Sequence, residues 1–140
     1  MTSLGSSLGA IEATHVVPVE PFATTFTFDW EKAPLSLNYR LNRYAEAKIV
    51  KEIRSLMQEL AFNIPFLGQC HVSLVWVVKT RGKRDDENIV PVLKALCDGL
   101  VDAGVVEDDT RQFMKKDMPE IRYEKGATAH FEFTVKEVRE

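Results

Sequence analysis

Cys70-His71-Val72-Ser73-Leu74-Val75-Trp76-Val77-Val78, followed by a polar loop and then by the segment from Asn88 to Ala103, is the stretch whose reading decides the fold. The first part is rich in β-branched and aromatic residues and follows the breakers Pro65 and Gly68, which predicts a strand. In the second part Leu93, Leu96, Cys97, Leu100 and Val101 recur at helical spacing. Asn88 stands where an N-cap is expected, Pro91 falls in the first turn, and Gly104 follows the last periodic residue.

Working outward, Phe22 to Phe28 alternates aromatic residues with threonine at period two, a strand signal. From about Leu41 to Ala61 the period becomes helical, and Ile49, Ile53, Leu56 and Leu60 are expected to face the core. Ile121–Glu124 and Ala129–Val138 read as two more strands, joined across Lys125-Gly126 as a hairpin. The order predicts an α/β (α+β) fold, a mixed β-sheet with two main helices packed on it.

The chain has 140 residues, 45% apolar and 28% charged, which suits one domain over residues 14–140. Residues 1–13 read as a flexible tail. No apolar run approaches a membrane span, so a cytoplasmic protein without a membrane partner is expected. Cys70 and Cys97 lie apart in apolar runs, as reduced buried thiols do, and no histidine is spaced with them for structural zinc.

The chemistry concentrates around the second helix. Arg84-Asp85-Asp86-Glu87-Asn88 precedes it, Lys94 and Asp98 lie on one of its faces, and Asp108-Asp109 follow it. Crowded carboxylates oppose one another's ionisation unless a cation neutralises them, so such clusters commonly hold a divalent ion. If the segment after the helix returns beside the preceding strand, Asp85, Glu87 and Asp109 would converge. Magnesium needs only one or two carboxylates plus phosphate oxygens and water. Lys94 would then stabilise charge developing on a phosphate, with Asp98 orienting it and Asp108 and Asn88 supporting the ligands. Asp86 reads as solvent-facing charge. The plain alternatives are acids favoured by the helix dipole and a surface Lys94–Asp98 pair of little energetic weight.

A net charge of −3 argues against general polyanion binding, so any nucleic-acid surface must come from segregated charge. Arg40, Arg43, Lys51 and Arg54 project as one stripe of the first helix, opposite its expected core face. Lys79, Arg81, Lys83 and Arg84 run directly into the acidic segment. Both groups are candidates for phosphate contacts.

At these residues the chain resembles the RusA-like Holliday junction resolvase (crossover junction endodeoxyribonuclease) family. Its pattern is R-D-x-D-N, a lysine and an aspartate four apart on the next helix, then A-G and a D-D pair. The matching residues are Arg84, Asp85 and Asn88, then Lys94 and Asp98, then Ala103-Gly104 and Asp108-Asp109. Pro34-Leu35-Ser36-Leu37-Asn38 is similar to the family's P-S-x-N element, so the resemblance runs from about Pro34 to Asp109. Glu87 stands where the family has aspartate, and Lys94 lies three residues further from Asn88 than in the best-known form.

The resemblance implies a homodimeric endonuclease, dependent on Mg2+ with Mn2+ as a substitute, that cuts four-way DNA junctions symmetrically. Asp85, Glu87 and Asp109 would bind metal and Lys94 would be the catalytic lysine. Two other readings stay open, a nuclease of flaps and forks and a non-catalytic module that binds junctions or a partner.

Overall fold

Strand β2 (Cys70–Val78) is the centre of a five-stranded mixed sheet. The computed structural model describes residues 20–139, so the tail expected over 1–13 lies outside the described residues. Strand β1 (Ala23–Phe28) pairs antiparallel with β5 (His130–Glu137), and β5 pairs antiparallel with β2 over its length. The other edge of β2 carries two short parallel strands in succession. Strand β3 (Met114–Lys116) lies beside Cys70–Val72, and β4 (Glu120–Tyr123) lies beside Val75–Val78. Pro119, which has no N–H to give a ladder, falls between them.

The expected hairpin between β4 and β5 does not form. Both strands are present, but β2 lies between them and pairs with each. Gly126 turns with φ +80°, and the connection crosses the end of β2. Spanning one strand means covering two inter-strand spacings, about 10 Å, which a six-residue connection does easily. Period-two patterning reveals a strand without revealing its neighbour.

Helices α1 (Arg43–Leu60) and α2 (Val90–Asp102) pack on one face of the sheet. Val72, Leu74, Phe131, Phe133 and Val135 supply the sheet side of that core. The Oδ1 of Asn42 caps α1 by accepting from the N–H of Ala45 at 2.8 Å. The buried face of α1 is set by Ile53 and Met57, continuing to Ala61, whereas Leu60 is 43% exposed and does not join the core as expected. Ile49 and Leu56 are partly buried against it.

Asn88 is not the N-cap of α2. The chain makes a 3-10 turn over Asp86–Ile89 before α2 begins, and Asn88 is fixed through its backbone. Its N–H donates to the Asp85 carbonyl at 2.9 Å, and its own carbonyl accepts from Leu37 N–H at 3.0 Å. Gly99 sets how closely the helices approach, because a Cβ there would stand 2.6 Å from Met57 Cβ and 2.9 Å from the Arg54 carbonyl oxygen. Cys70 and Cys97 are buried free thiols, pushed up by desolvation to pKa values of about 11 and about 12. No helix among the described residues is long and apolar enough to cross a membrane.

Candidate active site

The segment after α2 folds back beside the helix and then pairs with the start of β2, at Cys70–Val72, rather than with the end that leads into the acidic loop. The expected three-carboxylate grouping of Asp85, Glu87 and Asp109 is therefore not formed among the described residues. Gly104, at φ +81°, lets the chain reverse, and the N–H of Val105 donates to the Leu100 carbonyl at 3.1 Å. Val105 and Val106 are buried and anchor the return, while the Val105 carbonyl accepts from Leu67 N–H at 2.8 Å. Asp109 is thereby carried back to the middle of α2.

There it meets Lys94. The Lys94 ammonium donates to Asp109 Oδ2 at 2.5 Å and to Asp98 Oδ1 at 3.0 Å, so one cation bridges the helix and the returning segment. A second lysine, Lys116 of β3, lies 3.5 Å from the same Asp109 oxygen. The Asp108 carboxylate accepts from the backbone N–H of Asp109 at 2.8 Å. Asp109 is only 16% exposed and Asp98 21%, while Lys94 stays 57% exposed. The Lys94 hydrogen bond, with Lys116 adding to it, holds the Asp109 carboxyl below the usual carboxylate range against the opposing effect of burial. Reciprocally, Asp109 foremost and then Asp98 raise the Lys94 pKa. Both groups are held charged.

The other acids lie at the start of α2. Asp85 and Glu87 are exposed and take part in no ion pair among the described residues. Asp86, expected to face solvent only, accepts from Ile121 N–H at 2.8 Å and so joins the turn to β4. The structure thus brings together Lys94, Asp98 and Asp109, with Asp108 bonded to the Asp109 backbone, and leaves Asp85 and Glu87 exposed at the 3-10 turn before α2 and outside this cluster of hydrogen bonds. Among the described residues no three His, Cys, Asp or Glu side chains are grouped as a metal ion would need. As hard oxygen donors the carboxylates suit magnesium chemically, without a preassembled three-ligand set.

The Leu37–Asn88 bond ties the Pro34–Asn38 segment to the acidic turn, so two separate parts of the sequence pattern touch in space. Within the loop Arg84 acts as a brace. Its guanidinium donates to the Thr80 carbonyl at 3.0 Å and to Thr80 Oγ1 at 3.1 Å, and it lies 5.7 Å from the Trp76 ring centroid. Arg81 covers the Tyr123 ring at 5.1 Å, and Lys79 pairs with Glu31 at 3.2 Å. Lys83 is exposed.

The helical stripe divides. Arg43 and Lys51 are exposed on α1, and Arg40 is exposed but precedes the helix. Arg54 instead grips Asp102 of α2 with two bonds, at 3.0 and 2.9 Å, and Asp102 raises its pKa. Its fork serves the contact between the helices. Lys116 escaped the sequence reading because β3 is too short to show a period. The adjoining Lys115-Lys116 pair, seven residues beyond Asp109, was its only signal.

No family model and no curated protein matches the chain. Two solved structures of the hydrogenase maturation protein HypE, one in complex with ATP, are similar at TM-scores of 0.33 and 0.30 with 5% and 9% identity. Each comparison covers 89% of this chain but 34% and 32% of the other, so the chain spans about a third of their length. A likeness of this size bears on neither fold nor function.

Proposed function

We propose that this chain is a magnesium-dependent endonuclease that resolves four-way DNA junctions by paired, symmetric phosphodiester hydrolysis. The observation that carries the reading is Lys94 bridging Asp98 and Asp109, a charged constellation on two elements that the sequence separates. In the reaction a water oxygen bonds to phosphorus as one backbone P–O bond breaks, and negative charge grows on the phosphate oxygens. Lys94, ionised and mostly exposed, is placed to stabilise that charge, and Asp98 keeps its ammonium oriented. Lys116 adds a second cation beside it. Asp85, Glu87 and Asp109 are the residues proposed to hold magnesium, which when bound would supply charge neutralisation and a more acidic water. Arg40, Arg43, Lys51 and Lys83 are proposed to contact phosphates, with junction shape rather than base edges giving selectivity. A homodimer acting in the cytoplasm would present one site to each of two symmetric strands.

The test offers purified protein a labelled four-way junction, a fork, a flap and a plain duplex, with magnesium and with chelator. Symmetric nicks in the junction alone, dependent on magnesium, are expected. Equal cutting of flaps and forks would replace the resolvase with a broader branched-DNA nuclease. Binding without cleavage in magnesium or manganese would leave a junction-binding module.

A further inference from the structure

An open cleft of about 510 Å³ lies at the free edge of β3, lined by Arg111, Met114, Lys115 and Lys116. None of the phosphate-contact candidates that the sequence suggested lines it. Lys116 joins it to the candidate site through its 3.5 Å contact with Asp109. Arg111 and Lys115 are exposed and in no ion pair among the described residues. Two neighbouring acids have other partners, Asp117 with His71 at 2.8 Å and Asp109 with Lys94. Strand register extends the positive charge, since His71 has Lys115 opposite it on β3 and Lys136 opposite it on β5.

We propose that Arg111, Lys115 and Lys116 form a cradle that seats a DNA phosphate backbone on the β3 side of Asp109. The proposal rests on the endonuclease reading and extends its substrate surface past the acidic loop to the opposite end of β2. Successive strand residues point to opposite sides, so Lys115 and Lys116 grip the edge from its two faces. Arg111, just before the strand, adds a planar fork suited to phosphate. Lysines on an edge strand also deter strand-to-strand aggregation. That role accounts neither for Arg111, which lies off the strand, nor for the contact of Lys116 with Asp109.

The deciding experiment measures binding of a fluorescent four-way junction across a salt series, in chelator so that no cleavage intervenes. The full chain is compared with the double variant Arg111→Gln, Lys115→Gln, and with a control of equal net charge, Lys32→Gln with Lys125→Gln. Loss of two phosphate contacts should reduce the steepness of log K against log salt by about 2, at about 0.9 per contact. The control should keep the parental slope. An unchanged slope in the cradle variant, or an equal fall in the control, overturns the proposal, provided circular dichroism shows all three chains folded alike. Cleavage in magnesium is followed in parallel. A chain that cuts nothing yet shows the slope change keeps the cradle and loses the nuclease reading. A chain that cuts with an unmoved slope does the reverse.

Discussion

The two acidic ends of α2 look alike in sequence and differ in structure. At the start of the helix Asp85, Asp86 and Glu87 lie exposed at the 3-10 turn, and among the described residues only the Asp86 side chain has a hydrogen-bond partner, the N–H of Ile121. Past the end, Asp109 is folded back against the helix and held by two lysines, with its carboxyl kept ionised. The first region is an open set of charges and the second is preorganised. A run of acids in sequence therefore says little about electrostatic state. What separates the two is the reversal at Gly104, which turns Asp109 back toward Lys94, the fifth residue of the helix.

The sharpest way to break this contrast is to remove its central cation. Lys94→Met should lower junction cleavage by about 10²–10³-fold if Lys94 stabilises phosphate charge. It should also let the Asp109 pKa rise toward the ordinary carboxylate value, which carboxyl NMR titration would register. A depressed folded pKa contributes stability above the unfolded value, lost as pH falls through the folded one, so Lys94→Met should flatten the acid limb of the stability curve below about pH 4.

Gly99→Ala tests the frame that holds both ends. Its Cβ would meet Met57 Cβ at 2.6 Å and the Arg54 carbonyl at 2.9 Å, contacts relieved only by moving the helices apart. A loss of about 1–3 kcal/mol in urea unfolding is expected, as for other overpacked cores. A stability equal to that of the parent would show that the helices separate freely.

Asp86→Ala sharpens the difference within the first acidic end. It removes an acceptor from Ile121 N–H and should cost about 0.5–1.5 kcal/mol, with faster amide exchange along β4. Arg54→Met gives the smallest effect. The pair with Asp102 is doubly bonded but solvent-accessible, at 42% and 30% side-chain exposure, so about 0.2–1 kcal/mol is expected from thermal melts.

The strands and helices were legible because their periods are long. β2 and β5 alternate over many residues, and both helices bury leucine, isoleucine or methionine at helical spacing. Neighbour relations were not legible. The short Lys125-Gly126 turn suggested a hairpin although β2 separates its two strands, and β3 was too short to show any pattern. Within the site, the Lys94–Asp98 pairing was legible from one helix face, whereas the meeting of Asp109 with Lys94 was not, because it depends on the reversal at Gly104. Two residues read by charge alone have other partners. Asp86 bonds a backbone N–H, and Arg54 faces α2 because the close packing over Gly99 turns its side of α1 inward.

The central claim is that Asp85 and Asp109, one from each acidic end, serve a single reaction while Asp86 serves the fold. Single-turnover cleavage of a labelled four-way junction in magnesium, compared among Asp85→Asn, Asp109→Asn and Asp86→Asn, tests it most directly. The account predicts that the first two abolish nicking while still binding the junction and that Asp86→Asn keeps most of the parental rate. Full cleavage by Asp109→Asn, or equal loss in all three, would contradict it.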